Sequence, residues 1–321
     1  MDKLIVSVSP HIHDKSTTSR IMLDVIIALV PAFVASVVIF GARAAVVTCA
    51  CVASCVFFEW LFAVITKRKN TIGDFSAVIT GILLAFNLPV TIPIWQAVFG
   101  SAIAIILVKQ LFGGLGKNFA NPAITARIVM FLAFSKTMTT WGADTSSLWL
   151  YPIDGVAGAT PLAVMKWGDM ENLPGLWQMF IGVRGGCFGE TSNLALLIGG
   201  IYLMLRRVIT WHTPLTYIAV VAGLSMALEL DPMYHMFAGG LFLGAIFMAT
   251  DYVTTPQTNL GRIVFGIGAG MFTVLFRVYS SYPEGVSFAI LLMNILTPYI
   301  NKLTERIPLG AVYKVLPKDK P

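Results

Sequence analysis

The chain has 321 residues, of which 57% are hydrophobic and only 12% are charged, and its mean hydropathy is +0.80. This composition is far too apolar for a soluble domain of that length and indicates a protein embedded in a membrane. The formal charge of +6 fits a basic membrane face in contact with lipid, so it does not indicate nucleic-acid binding.

Apolar runs predict about ten transmembrane helices in two sets of five. Each run is long enough, or nearly long enough, to cross a bilayer. The first set is 21–40, 44–65, 75–88, 93–112 and 119–134, and the second is 192–210, 213–229, 236–250, 260–279 and 285–301. The polar stretch from Ser9 to Arg20 precedes a first run of full spanning length, so we expect no signal peptide. The predicted fold class is an all-α integral membrane protein.

The two sets divide the chain into five expected regions. These are a cytoplasmic N-terminal segment (1–20), a first five-helix repeat (21–134), an extracytoplasmic loop (135–191), a second five-helix repeat (192–301) and a cytoplasmic tail (302–321). Loops as long as 135–191 are usually functional or disordered. The aromatic residues Trp141, Trp149, Trp167 and Trp177 argue against disorder.

The distribution of Lys and Arg predicts the orientation. With ten spans and both termini in the cytoplasm, seventeen basic residues lie inside and five lie outside. The five outside are Arg43, Lys136, Lys166, Arg184 and Arg277. This excess favours the topology under the positive-inside rule and places the loop 135–191 outside the cytoplasm.

Two predicted spans are short, and each is the third of its set. Short or broken segments at matching places in two halves indicate a central binding site. Five helices per half give the halves opposite orientations, so 75–88 and 236–250 would enter from opposite faces and meet near the midplane. The alternative is that both are simply thin or tilted helices.

The segment from Asp154 to Leu162 places a hydroxyl on a turn of small residues at the start of a helix. Thr160 has the position of an N-cap and Pro161 that of the first helical residue. A phosphate held there, or esterified to the Thr160 oxygen, would be stabilised by free N–H groups and the helix dipole. The alternative is an ordinary capped loop.

Three separated motifs resemble those of one family, in the same order and spacing. They are Gly113-Gly114-Leu115-Gly116-Lys117-Asn118-Phe119-Ala120-Asn121-Pro122-Ala123, the segment Asp154–Leu162, and the segment Tyr282–Asn294. The family comprises the D subunits of Rnf complexes, which are ion-translocating ferredoxin:NAD oxidoreductases. The chain is also similar to the B subunits of the sodium-translocating NADH:quinone reductases. The resemblance covers essentially the whole chain.

The resemblance implies a covalent FMN. In the family, the Thr of a Gly-Ala-Thr motif holds FMN through a phosphoester bond, and here the matching residues are Gly158, Ala159 and Thr160. The transfer requires an exposed hydroxyl and a nearby acid, for which Asp154 is the candidate. Relatives often have Ser before this motif, where this chain has Ala157. The isoalloxazine ring performs the redox chemistry, and the protein positions it and tunes its electronics.

The resemblance also implies a urea-transporter-like fold of two inverted five-helix repeats and a second, non-covalent flavin. Relatives hold a riboflavin on the cytoplasmic side, and the matching positions are Asn118 and Asn121. Amide side chains can donate to and accept from a flavin ring edge. The alternative role of these residues is helix capping before Pro122.

The function that the resemblance implies is that of a membrane electron carrier in a complex that couples electron transfer to Na or H translocation. Its partners would be a second flavin-bearing subunit outside the cytoplasm and iron–sulfur membrane subunits. Its place would be the prokaryotic plasma membrane. The fold alone equally permits a small-solute channel or transporter of the urea-transporter type. The motif around Thr160 distinguishes the two, because a passive pore has no use for it.

Other polar residues give weaker indications. Asp24, Glu59, Asp74 and Asp251 lie in or near the cytoplasmic ends of spans and are candidates for an ion pathway, with solvated helix ends as the alternative.

The cysteines and histidines do not form a recognisable metal motif. Cys49, Cys51 and Cys55 favour helix packing over an iron–sulfur cluster, and only Cys51 and Cys55 share a face. The four histidines favour no metal site. No glycine-rich nucleotide motif follows a strand, so NAD is expected to bind elsewhere in the complex.

Overall fold

A computed structural model of the protein describes residues 17–68, 71–141, 160–167, 173–280 and 284–305. All regular secondary structure in these ranges is helical. The segments 1–16 and 306–321 lie outside the described residues, as do Asp154, Gly158 and Ala159.

The first half of the chain forms five helical segments. They are α1 (Thr18–Phe40), α2 (Ala42–Thr66), α3 (Ser76–Phe86), α4 (Ile94–Ala102) with a π-helical continuation (Ile103–Gln110), and α5 (Pro122–Ala133). The connection to the second half contains α6 (Ser135–Met138), α7 (Pro161–Trp167) and α8 (Leu176–Ile181).

The second half has its short segments in the middle and ends with its two long helices. Its helices are α9 (Asn193–Leu205), α10 (His212–Ala227), α11 (Pro232–Phe237), α12 (Leu241–Leu243) with a π-helical continuation (Gly244–Met248), α13 (Asn259–Tyr279) and α14 (Val286–Thr304). Each of the ten predicted apolar runs therefore contains helix. Among the described residues, four helices, α1, α2, α13 and α14, are long and apolar enough to cross a membrane.

The two faces of α1 are those of a membrane helix. Large apolar side chains lie on its outside, namely Leu23, Ile27, Val30, Val34 and Val38. Small or polar side chains lie inside, among them Asp24, Ala28, Ala32 and Ser36. Small residues at helix contacts and bulky apolar ones toward the surroundings are typical where lipid is the solvent.

The short third segments of the two halves contact one connecting segment. The backbone N–H of Gly189 donates to the Phe86 carbonyl at the end of α3, at 3.3 Å. In the second half, α11 and α12 are separated at 238–240, where Arg184 Nη2 donates to the Gly239 carbonyl at 3.2 Å. The end of α3 and the separation of α11 and α12 at 238–240, the two breaks, thus both pack against the segment 184–192. The apolar runs in the sequence do not predict this contact.

The first helices of the two halves pack antiparallel. Near the start of α1, Asp24 pairs with Arg206 just after α9, and further along α1 the Ala28 carbonyl packs against Gly199. The last helices of the two halves are also in contact, because Arg127 Nη1 in α5 donates to Ser287 Oγ at the start of α14, at 3.0 Å. Antiparallel packing of α1 with α9 is what two halves of opposite orientation require.

Two ends of the molecule are defined by hydrogen bonds between residues near the ends of helices and their connections. At the Gly73 end, Ser19 Oγ donates to the Gly73 carbonyl at 2.9 Å. At the Thr140 end, Arg43 Nη2 donates to the Ile92 carbonyl at 3.2 Å, and Thr91 Oγ1 donates to the Thr140 carbonyl at 3.0 Å. The 23 residues of α1 connect the two ends over about 35 Å.

Candidate functional site

Thr160 caps the short helix α7, as the sequence predicts. Its Oγ1 accepts from the backbone N–H of Ala163 at 3.3 Å, and Pro161 is the first helical residue. The residue is only 6% exposed, which differs from the exposed hydroxyl that flavin transfer requires. Attachment of a phosphate therefore requires this hydroxyl to be uncovered first.

Packing of Leu162 fixes α7 at the Thr140 end. Leu162 forms a small apolar cluster with Met179 of α8 and Ala238 at the break after α11. A Cβ placed on Gly239 would lie 2.9 Å from Leu162 Cδ1, so the close approach depends on the absence of a side chain there. Gly239 also has a φ of +66°, a conformation that glycine adopts readily.

A cavity of about 380 Å³ lies beside α7, and we term it the α7 cavity. Its lining combines apolar and ionisable side chains from α7, α11 and α13 and from the loops before α8 and α11. The lining residues are Leu162, Met165, Lys166, Leu173, Glu229, Leu230, Asp231, Tyr234, His235, Arg277 and Val278. Its volume lies within the range of roughly 300–1,000 Å³ that holds small molecules in proteins.

A second cavity, the Asn118 cavity, lies toward the Gly73 end. The structure brings Asn118 and Asn121 together there, with Ser76, Lys109 and Asp251. Asn121 caps α5, because its Oδ1 accepts from the backbone N–H groups of Ala123 and Ile124. Asn118 is different: its Oδ1 is buried without a partner.

The Asn118 cavity is small, at about 100 Å³. Apolar side chains from α1, α3 and α9, including Ile21, Ile79 and Leu203, form most of its walls. A tricyclic ring fits only after some of these side chains move apart. The buried unpaired oxygen of Asn118 nevertheless gives the cavity an acceptor for a ligand donor.

Two of the four acidic residues predicted for an ion pathway have buried carboxylates in ion pairs, and of the two basic partners Lys109 is buried whereas the Arg206 side chain is 47% exposed. Asp24 accepts from Tyr202 Oη at 3.0 Å and pairs with Arg206 at 3.2 Å. Glu59 is fully buried and binds Lys109 Nζ at 3.0 Å. Neither residue is a solvated helix end, because both carboxylates are buried and partnered.

The other two acidic residues act on local backbone and hydroxyl groups. Asp74 accepts from the backbone N–H of Ser76 at 2.9 Å, at the start of α3. Asp251 lines the Asn118 cavity and accepts from Thr254 Oγ1 at 3.2 Å. The structure joins Glu59 to Asp74, because Lys109 Nζ donates to both Glu59 and Ser76 Oγ, and Ser76 Oγ donates to Asp74 Oδ1. Asp24 and Asp251 make separate contacts.

The sequence interpretation missed a buried charged cluster between the two breaks. Arg127 Nη2 donates to Glu284 Oε2 at 2.6 Å, and its Nη1 donates to Asn87 Oδ1 at 2.9 Å and lies 3.7 Å from Glu190 Oε2. Burial raises the pKa of Glu284 to about 7, although Arg127 opposes this shift. The cluster joins α3, α5, the segment 184–192 and the start of α14.

The position of Arg127 corrects one step of the orientation argument. The count of seventeen cytoplasmic charges includes Arg127, but this residue lies inside α5 and bonds to residues at the start of α14. It is an internal residue, as are Lys109 on the inside count and Arg184 and Arg277 on the outside count, so fifteen basic residues inside and three outside bear on the orientation. The excess persists.

Cys187, Glu190 and Glu284 have potential metal-ligand atoms within 4.8 Å of one another. Arg127 is bound between them, with its Nη2 also 3.5 Å from Cys187 Sγ. A guanidinium in this position repels a metal ion. As predicted, Cys51 and Cys55 share the buried face of α2, and Cys49 is exposed.

Comparison with known proteins identifies the family. Residues 5–310 match the NQR2, RnfD, RnfE family. The chain belongs to this family. It is 46% identical to the D subunit of the Na⁺-translocating ferredoxin:NAD⁺ oxidoreductase complex of Acetobacterium woodii, over 95% of both chains. It is 40% identical to the proton-translocating counterpart of Clostridium ljungdahlii, over 95% of this chain and 96% of the relative.

A more distant relative extends the comparison. The D subunit of the ion-translocating oxidoreductase complex of Stutzerimonas stutzeri is 37% identical over 90% of this chain and 91% of its own length. These alignments cover nearly the whole chain, so they include both halves and the connection that holds Thr160.

Proposed function

We propose that the chain is the D subunit of an ion-translocating ferredoxin:NAD oxidoreductase complex and carries electrons through the membrane. The observation that carries this proposal is the full-length similarity to relatives that are named as such subunits. One of these relatives translocates Na⁺ and the other protons, so either ion is compatible with the proposal. Other subunits of the complex, including flavin-bearing and iron–sulfur subunits, are the partners, and one of them binds NAD.

The first cofactor in this proposal is FMN, esterified through its phosphate to Thr160. Support comes from the Gly158-Ala159-Thr160 motif and from the α7 cavity, which begins two residues beyond Thr160. The flavin supplies the redox chemistry when bound. The residues of this chain orient it and set the polarity of its surroundings.

The second cofactor is riboflavin in the Asn118 cavity. The unpaired Asn118 oxygen and the amide hydrogens of Asn121 supply one acceptor and two donors for a ring edge. The α7 cavity lies at the Thr140 end and the Asn118 cavity toward the Gly73 end. Two flavins would thus serve the two sides of the membrane.

We further propose ten spans in two inverted repeats of the urea-transporter type, 21–134 and 192–301, with both termini in the cytoplasm of a prokaryotic cell. The antiparallel packing of α1 with α9 supports this arrangement. A solute channel without redox role is the weaker alternative. The breaks that would form its path are filled by Phe86, Arg127 and Glu190, all of them buried.

Covalent flavin attachment is the direct test. Purified wild-type protein, denatured and run on a gel, should fluoresce under ultraviolet light, and Thr160→Ala should abolish the band. Thr160→Ser should retain partial labelling, because the hydroxyl survives. A band of undiminished intensity in Thr160→Ala would move the attachment elsewhere.

A further inference from the structure

The α7 cavity contains two buried nitrogen atoms without partners. Neither His235 Nδ1 nor Arg277 Nε has a hydrogen-bond partner among the described residues, and both side chains line the cavity. Buried polar atoms in native proteins are nearly always paired, and leaving one unpaired costs roughly 1–3 kcal/mol. Two such atoms at one cavity indicate a polar ligand.

The charge of Arg277 is also unmatched. Its Nη2 donates to the Ala238 carbonyl at 3.0 Å and its Nη1 to the His235 carbonyl, so two backbone oxygens hold the guanidinium in place. Within the described part of the chain, no carboxylate lies at ion-pair distance from it. A buried cation of this kind is stabilised by a ligand that carries or acquires negative charge.

The surrounding cluster does not supply the missing charge. Arg127, Arg184 and Arg277 are three buried cations, and Glu190 and Glu284 are two carboxylates, so these residues leave one positive charge in excess. Glu229 and Asp231 also line the cavity, but both are exposed to solvent, which screens them.

The rest of the lining suits a flat aromatic ring. Met165, Tyr234 and Val278 provide apolar and aromatic surface. The imidazole of His235 adds two ring nitrogen atoms that can form hydrogen bonds. Such a combination of an apolar wall with a few polar groups is typical of ligand sites.

We propose that the α7 cavity holds the isoalloxazine ring of the flavin attached at Thr160, and that Arg277 stabilises the negative charge that the ring acquires on reduction. The inference rests on the proposed covalent FMN and adds the position of its ring and the residue that tunes its potential. The ring gains one electron from a one-electron donor, which is dithionite in the test below. Arg277 remains protonated throughout, so no proton is transferred.

The test is a redox titration of the purified full-length chain with dithionite. The component that is present in wild type and missing in Thr160→Ala belongs to the covalent flavin. Arg277→Gln should lower its midpoint potential, and each tenfold loss in preference for the reduced ring corresponds to about 59 mV for one electron. Arg277→Lys should restore most of the potential, because the positive charge is kept.

Arg184→Gln is the matched control. Arg184 is also buried and donates to the neighbouring Gly239 carbonyl, but it does not line the cavity. We expect a markedly smaller shift in Arg184→Gln than in Arg277→Gln. Equal shifts in both variants, or an unchanged potential in Arg277→Gln, would overturn the assignment of Arg277.

A second variant keeps the ring position testable if the arginine variants fail to fold. Leu230→Trp adds bulk to the lining and should displace the ring, so iodide should quench the native flavin fluorescence more strongly than in wild type. Unchanged quenching would overturn the position of the ring.

In all variants the fluorescent gel band reports on attachment, so a missing band in wild type rejects the covalent FMN and this inference together. A retained band without these shifts rejects the inference alone.

Discussion

Asn118 and Asn121 lie three residues apart at one cavity but use their side chains differently. Asn121 Oδ1 caps α5, whereas Asn118 Oδ1 has no partner. Replacing Asn118 by Leu should therefore weaken riboflavin binding by about ten- to a hundredfold, from a loss on the order of 1–3 kcal/mol. Acid precipitation of the purified protein, followed by analysis of the released flavin, measures this effect.

The two residues also require different controls. Asn121→Leu should lose flavin and in addition about 1 kcal/mol of stability, because the helix cap is removed. Asn121→Asp keeps the cap oxygen and loses the amide donors, and the negative charge that it adds lies at the N-terminus of α5, where the helix dipole stabilises it. Covalent FMN stays in the precipitate of every variant. Unchanged riboflavin release from Asn118→Leu would place the pocket elsewhere, for example between the short segments around 75–88 and 236–250.

For single residues, the sequence predicts roles that depend on neighbouring residues. It does not predict roles that depend on contacts between distant parts of the chain. The cap at Thr160 follows from the adjacent Pro161, and the cap at Asn121 from Pro122. The contacts of Arg127 with Glu190 and Glu284 join residues 63 and 157 positions apart, and no local pattern encodes them. A carboxylate in the glycine-rich stretch Gly185-Gly186-Cys187-Phe188-Gly189-Glu190 was the one available signal.

The apolar runs predicted where the helices lie along the chain. They did not predict the π-helical stretches or the break within the helical segments. The predicted runs 21–40 and 260–279 nearly coincide with α1 and α13. The π-helical stretches Ile103–Gln110 and Gly244–Met248 were not predicted, because apolar periodicity does not distinguish them from α-helix. The break at 238–240 depends on Arg184 and Arg277, which satisfy its carbonyls from distant parts of the chain.

The contact between α1 and α9 gives a prediction for helix packing. A Cβ on Gly199 would lie 2.1 Å from the Ala28 carbonyl oxygen, which belongs to the backbone and cannot rotate away. Gly199→Ala should therefore force the helices apart at a cost of roughly 1–3 kcal/mol, more than the gain of up to about 1 kcal/mol in helix propensity. Thermal unfolding of the detergent-solubilised protein should show a lower midpoint.

Gly223 in α10 provides the matched control. It is exposed, and a Cβ there would have no heavy atom within 4 Å. Gly223→Ala should leave the midpoint unchanged or raise it slightly, because only helix propensity changes. A midpoint that rises equally in both variants would contradict close packing of α1 against α9.

For the whole molecule, the sequence predicted two sets of five helical segments from hydropathy alone. The way the sets meet required the structure, because the pairing of α1 with α9 depends on Asp24 and Arg206, which are 182 positions apart. Their antiparallel packing gives the two ends of the molecule different composition. The Gly73 end has the basic residues Lys67 and Arg68, and the Thr140 end has Lys136.

Labelling of single cysteines tests the orientation of these ends. In a background lacking Cys49, Cys51, Cys55 and Cys187, the variants Thr139→Cys and Gly73→Cys place one thiol at each end. Both positions are exposed, and a side chain at Gly73 enters open space. An impermeant thiol reagent added to intact cells should label Thr139→Cys and spare Gly73→Cys, because the excess of basic residues holds the Gly73 end in the cytoplasm. Permeabilised cells should label both, which controls for reactivity. Labelling of Gly73→Cys alone in intact cells would invert the molecule and place the α7 cavity, with its proposed FMN, on the cytoplasmic side.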